Sequence, residues 1–249
     1  MKKIASILIL VTGIICGGLS AHADSLFDRR LNTGQLLYEA LLEKGVARPA
    51  LDLLFRMFDY NEGRIPNVDY AVIVDYTMRS TEKRLFLLNF ISGQVDRYYV
   101  AHGIRSGVVE ARNFSNLQDS WKSSLGFYYA KGTYTSPKNG LSLYLEGIDR
   151  SNNAAKDRQI VIHGAKYVSD EFILKNKRLG WSEGCFAVAL EVAPYLISTL
   201  QTGSLILSYH RDLMGYARQY PWEQSLLGEE LVPRDVNRNR TPGEGGGTD

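Results

Sequence analysis

The sequence predicts a mainly β domain, a sandwich or a barrel, with a small helical segment in front of it. Three observations predict this. Past Pro66 the chain breaks into short apolar, β-branched and aromatic runs separated by glycine-rich and polar turns. Before Pro66 the apolar residues instead recur at helical spacing. Only one later stretch, residues 191–200, has a helical look, so strands dominate the larger part of the chain.

The elements follow in order. Residues 1–23 read as a secretory signal peptide: Lys2 and Lys3 precede an apolar run from Ile4 to Leu19, and Ala21-His22-Ala23 supplies the small-residue cleavage site. That apolar run is shorter than the ~20 residues a membrane span needs, so no stable span is expected after cleavage. Residues 24–66 form the helical segment. Gln35 to Glu43 and Ala50 to Phe58 each space their apolar residues along one face, and Gly45 to Pro49 separates them, which predicts a helical hairpin. Residues 67–215 form the main domain, with strands at 70–76, 84–91 and 94–102, a polar loop at 103–124, strands at 126–134, 141–145 and 158–163, the helix at 191–200 and a last strand at 204–210. Residues 216–249 lose all periodicity and end in a glycine-rich run, a flexible tail by composition.

Composition narrows the function. The chain has 249 residues, 45% hydrophobic and 22% charged, enough for one sizeable core. Removal of the leader takes away two of the 29 basic residues and none of the 27 acidic ones. The mature chain is then formally neutral, with no electrostatic case for nucleic acid or an anionic membrane. Cys16 leaves as well, so Cys185 is the one remaining cysteine, and no intramolecular disulfide is possible.

A leftover thiol in an exported protein is a candidate nucleophile, although a free cysteine is also among the most buried residue types. Its sequence context favours chemistry. Thiol catalysis needs a base near the sulfur and donors for an oxyanion. His163 closes the apolar run Gln159 to Ile162, at a strand end where its side chain can leave the sheet, and could take the thiol proton. Gly184 lets the backbone turn sharply beside Cys185, aiming main-chain N–H groups at a developing oxyanion, and Ser182 can hydrogen-bond within that turn. His102, like His163, begins a His-Gly pair and is a second candidate, whereas His210 ends a late strand and reads as structural. Glu183 reads as a solvated turn charge, because a carboxylate opposes thiol ionisation. Three scattered histidines and one cysteine give no metal-ligand spacing, and no nucleotide fingerprint is present, so neither metal nor cofactor is expected.

Ile162-His163-Gly164 followed by Ser182-Glu183-Gly184-Cys185 resembles the signature of the murein L,D-transpeptidases, the YkuD-like family, in a divergent branch. Ser123 to Tyr128 is similar to a strand of that family that precedes the histidine. The resemblance covers roughly residues 67–212. It implies a YkuD-like β-sandwich or barrel and an exported enzyme of the periplasm or cell wall acting on peptidoglycan stem peptides. Cys185 would form a thioester with a stem peptide, His163 would serve as base, and Tyr134, Tyr167, Trp181 and His102 would contact the substrate. An amine from a second stem would then resolve the thioester into a cross-link. Resolution by water would make the protein a carboxypeptidase or endopeptidase, and loss of chemistry would leave a wall-binding module. Three departures stand out. The stretch between His163 and Ser182 is longer than in most members, Glu183 stands where many have histidine, and Ala187 stands where arginine or asparagine is common. The last of these keeps two acyl donors open, residue 3 or residue 1 of the stem.

Overall fold

The computed structural model describes residues 37–213 apart from Glu62. The leader expected at 1–23, the first part of the helical segment and the tail expected at 216–249 lie outside the described residues.

Residues 37–43 are helical (α1), and a turn leads to α2, Arg48–Tyr60, which starts with Pro49 in its first turn. Proline suits that place because the first N–H groups of a helix have no partner within it. Leu51, Leu54 and Phe55 turn one face of α2 inward, and with Leu41 and Val46 they join the same core as the strands. The predicted helical hairpin therefore packs onto the main domain.

Eight strands follow: β1 Tyr70–Asp75, β2 Leu85–Asn89, β3 Val95–Tyr98, β4 Gly126–Ser136, β5 Gly140–Gly147, β6 Val161–Gly164, β7 Phe186–Val188 and β8 Leu205–Tyr209. They form one sheet in the order β3-β2-β1-β8-β4-β5-β6-β7. Val72, Ile73 and Val74 of β1 and Leu205, Ile206 and Leu207 of β8 are all buried, as central strands covered on both faces must be. Two further helices complete the domain. α3, Asp170–Asn176, is capped by Ser169, whose hydroxyl accepts from the Phe172 N–H. α4, Ala193–Leu200, buries Ala193, Leu196, Ile197 and Leu200, one helical stripe. No helix among the described residues is long and apolar enough to cross a membrane.

The sheet curls until its two ends nearly meet. On leaving β3, the Ala101 N–H donates to the Ala187 carbonyl of β7 at 2.9 Å, and Gly103 forms a parallel bridge with Ser182. One edge strand thus hands the chain to the opposite edge, giving a nearly closed barrel. Two elements were not expected. β7 has only three residues, hidden behind the Gly-Cys step, and α3 buries no side chain, so it carries no apolar stripe to read. Their joint effect is to bring β7 in parallel beside β6, which requires a crossover, and α3 is that crossover. The strand expected from Arg158 begins only at Val161, because residues 155–160 close backbone turns instead.

The entry to β4 is held by a buried acid. Asp149 Oδ2 accepts from the Phe127 N–H at 2.5 Å, while Asn152 accepts from the Asp149 N–H and donates to the Phe127 carbonyl. Burial pushes the Asp149 carboxyl up to about 7, with the Phe127 N–H pulling the other way. Folding therefore favours the protonated form: this contribution is fully present below about pH 4 and is lost as the pH rises through about 7. Asp149→Asn keeps an accepting oxygen without the charge. It is expected to flatten the melting profile across that window and to raise the melting temperature above pH 7 by on the order of a few degrees. Thermal melts of both proteins across this range check it, and a variant that still tracks the wild-type profile would place the pH dependence elsewhere.

Candidate active site

The Ser182–Cys185 turn sits where the barrel closes. Ser182 is held from outside by the segment after β3: its N–H donates to the His102 carbonyl at 3.0 Å, and its carbonyl accepts from the Ile104 N–H at 2.8 Å. Its hydroxyl works inside the turn, donating to the Cys185 carbonyl at 2.7 Å and accepting from the Gly184 N–H at 3.2 Å. Ser182 is thus the brace its position predicts. Gly184 departs from expectation. Its N–H faces the serine oxygen, so it is not the oxyanion donor anticipated for it. Glycine is needed for another reason. Its φ is +119°, and a Cβ there would stand 2.8 Å from the Lys122 carbonyl and 3.0 Å from the Arg158 guanidinium.

Cys185 is half-buried at the head of β7. Its Sγ lies 3.5 Å from the Gln159 carbonyl and also meets the Val161 N–H, so the sulfur sits beside the start of β6. His163 is two residues further along that strand, paired with Ala187 of β7. Alternation along a strand puts Val161 and His163 on one face. The register thus gathers Cys185, His163, Ser182 and Gly184 at one end of the β6–β7 pair, and the thiol's hydrogen bond goes to Gln159 rather than to the imidazole.

The His-Gly step has a specific use. His163 Nδ1 lies 3.0 Å from the Gly164 carbonyl. A carbonyl only accepts, so Nδ1 carries the proton and Nε2 keeps its lone pair. Burial lowers the imidazole pKa, opposed by the Gly164 carbonyl, with Lys138 adding to the decrease. Burial also pushes the Cys185 thiol up, and Glu183 adds to that, while the Val161 N–H, Arg158 and Lys138 pull it down. The two shifts oppose an ion pair. Both shifts favour the uncharged forms, a thiol and a neutral imidazole.

The other four expected residues differ in where they fall. Tyr167 is at the site: Cys185 and Glu183 add to the burial that pushes its phenol up to about 12, and its ring lies against Gly180, where any Cβ would collide with it. Trp181 precedes the brace, with its indole N–H on the Val108 carbonyl at 3.1 Å and the Arg178 guanidinium 3.4 Å from its ring centroid. Tyr134 stacks on Tyr144 at 4.1 Å, and β4 and β5 place it in the cross-strand row of Ser142 and His163. His102 is a correction. It is 1% exposed, its Nδ1 accepts from Arg84 at 2.7 Å and its Nε2 donates to the Gly107 carbonyl at 3.0 Å, so no part of the ring is left for a substrate. Burial, and then the Arg84 charge, lower its pKa to about 4, which keeps it neutral. Its part is to fix the backbone that holds Ser182.

Two residues had no sequence signal. Lys138, in the β4–β5 turn, reaches across to Glu183 at 3.3 Å. Arg158 lies behind Gly184 and bonds to the 115–124 loop. A cleft of about 250 Å³ is lined by Gln118, Asp119, Trp121, Asp157, Arg158, Gln159 and Glu183; it reaches the neighbours of the thiol, Gln159 and Glu183, but neither Cys185 nor His163 lines it. The larger cleft, about 460 Å³ between residues 66–70 and 198–202, includes none of the site residues. Among the described residues no three His, Cys, Asp or Glu side chains come together as metal ligands.

Comparison with known proteins agrees with this geometry at the level of family. A family profile described as the L,D-transpeptidase catalytic domain matches residues 42–209, more than half of the chain. No curated protein sequence matches. Among solved structures, an L,D-transpeptidase from Mycobacterium smegmatis overlays with a TM-score of 0.36 at 9% identity, over 57% of this chain and 59% of that one. An L,D-transpeptidase (Yku) from Stackebrandtia nassauensis gives 0.35 at 15% identity, over 66% and 68%. The helical cell shape determining protein Pgp2 (K307A mutant) from Campylobacter jejuni gives 0.33 at 15% identity, over 72% and 65%. This chain spans less than two thirds of the M. smegmatis protein, and overlays at these scores add no weight to the profile match. On the strength of that match over 42–209, with the His163 and Cys185 segments inside it, the chain belongs to the family of L,D-transpeptidase catalytic domains.

Proposed function

We propose that this protein is an exported peptidoglycan L,D-transpeptidase that works through a Cys185 thioester. The observation that carries the reading is the head of the β6–β7 pair. A thiol held by a rigid glycine turn there shares a strand end with an imidazole whose Nδ1–H is fixed on Gly164 and whose Nε2 is free to accept a proton.

The steps follow from that arrangement. As Cys185 Sγ attacks the carbonyl carbon of an L-to-D linkage in a stem peptide, its proton passes to His163 Nε2. The carbonyl oxygen becomes an oxyanion. The Gly184 N–H is turned to Ser182, so the Cys185 N–H is assigned to meet it, and such a donor is worth about 3 kcal/mol of barrier. The C–N bond then breaks, and the departing amine takes the proton back from His163. The thioester is resolved by an amine of a second stem, which loses its proton to His163 and leaves Cys185 as the thiol. Both resting groups are neutral, so proton transfer accompanies attack and no preformed thiolate is required. Ala187 is fully buried in β7 and presents no polar group to the donor. Recognition then falls to Tyr167 and to the Lys138–Glu183 pair around the sulfur.

Two measurements test this. Incubation of the protein with a disaccharide-tetrapeptide, followed by mass spectrometry, is expected to give a cross-linked dimer whose fragments identify the acylated stem residue. Cys185→Ala is expected to remove the product, and His163→Ala to slow its formation by about 10²-fold or more. Release of the C-terminal residue without dimer would transfer the assignment to a hydrolase, and product from Cys185→Ala would end the thioester reading. The second measurement is iodoacetamide labelling across pH. Because burial raises the thiol pKa in the folded chain, labelling of the native protein near pH 7 is expected to be slower than that of the unfolded protein, with the gap closing as the pH rises above the folded value. Faster native labelling at neutral pH would mean a preformed thiolate.

A further inference from the structure

Arg158 lies outside the expected set of site residues, yet the 115–124 loop and the turn at Gly184 both bear on it. Its Nη1 donates to the Ser115 carbonyl at 2.8 Å and to Ser124 Oγ at 3.0 Å, and its Nη2 donates to the Lys122 carbonyl at 2.5 Å and to Ser120 Oγ at 3.5 Å. All four acceptors are neutral oxygens, and no carboxylate among the described residues pairs with it. The loop it grips is itself bonded to the segment that closes the barrel. Ser123 Oγ accepts from the Gly103 N–H, and the Ser123 N–H donates to Ser106 Oγ. On its other side lies Gly184, where a Cβ would come within 3.0 Å of Nη2. The guanidinium therefore forms the back wall of the nucleophile turn, with a charge that no carboxylate among the described residues pairs with.

We propose that Arg158 is a positioning residue for Cys185: its planar fork clamps the 115–124 loop behind Gly184, and its fixed charge favours loss of the thiol proton. Arginine suits both parts, because five donors in one plane satisfy several carbonyls at once and the charge persists at any working pH. The effect opposes the burial of the sulfur. The other charged or titratable groups facing the thiol are Glu183 from its own turn, Lys138 from the β4–β5 turn, His163 from β6, Tyr167 from the segment before α3 and Tyr76 from the end of β1. Arg158 and Lys138 are the cations of that set, and Lys138 is exposed and engaged with Glu183.

The inference rests on Cys185 as the nucleophile, and it is tested without a wall substrate. The pH midpoint of Cys185 alkylation is measured on the full chain by intact mass, beside the melting temperature. Arg158→Gln removes the charge and is expected to move the midpoint up by about one pH unit. Arg158→Lys keeps the charge without the fork and is expected to stay within about half a unit of wild type. Both variants should melt earlier, so melting alone reads a structural part, and the midpoint reads the charge. Glu183→Gln is expected to move the midpoint down, which shows that the assay senses nearby charge. A folded Arg158→Gln with an unmoved midpoint overturns the proposal. If that variant does not fold, Arg158→Lys decides: a midpoint held near wild type supports the proposal, and a full-unit rise overturns it. Failure of the transpeptidase reading would show instead as cross-linked product from Cys185→Ala, an outcome independent of these midpoints.

Discussion

The site depends on one short piece of backbone pairing, the meeting of residues 101–104 with residues 182–187. Three hydrogen bonds do the work: Ala101 N–H to the Ala187 carbonyl, Ser182 N–H to the His102 carbonyl, and Ile104 N–H to the Ser182 carbonyl. These contacts close the barrel and hold the Ser182–Cys185 turn in the same stroke. Everything near them serves that segment. Arg84 is fully buried and directs its guanidinium to Val100, Met78 and His102. Removing such a cation from water costs several kcal/mol unless its donors are satisfied, and three carbonyl or imidazole acceptors together with the Tyr76 ring face supply that satisfaction. The buried arginine just before β2 is therefore best understood as the anchor of the segment that holds Ser182.

The electrostatics of the site are set by burial more than by pairing. Glu183 beside the thiol opposes its ionisation and Lys138 opposes protonation of His163, and in both groups burial is the larger cause of the shift. A neutral pair has a chemical advantage. The thiolate is the form that oxidants attack, so a cysteine kept as a thiol is protected from them.

Much of this was legible in the sequence, and the gaps have physical causes. The central strands were visible because residues buried on both faces read as continuous apolar runs, as in Ala71 to Val74. α2 was visible through its apolar stripe. β7 was not, because three residues carry no period, and α3 was not, because it sits on the surface with no buried face. The length of the stretch between His163 and Ser182 is plain in the sequence, but its content, a crossover helix with Tyr167 packed on Gly180, is a tertiary fact. Cys185 and His163 were singled out because their chemistry is rare and their local context specific. His102 shares the same His-Gly context, and only its burial against Arg84 shows that it is structural. Arg158 and Lys138 gave no local signal, since each gains its place from segments distant in sequence.

Two neighbouring inner strands of the sheet, β1 and β8, come from opposite ends of the domain: Ala71 lies beside Leu205. The centre of the barrel therefore cannot form until the last strand has been made and delivered. Until then β1 and β4 each lack a neighbour, and their apolar edges are open to other chains. Such a topology assembles slowly, because the entropy of closing a very long loop comes before any reward from the central contacts. It also makes the domain an all-or-nothing object, in which loss of the segment Leu205–Tyr209 removes the seam joining its two halves, far from the thiol in sequence yet decisive for it.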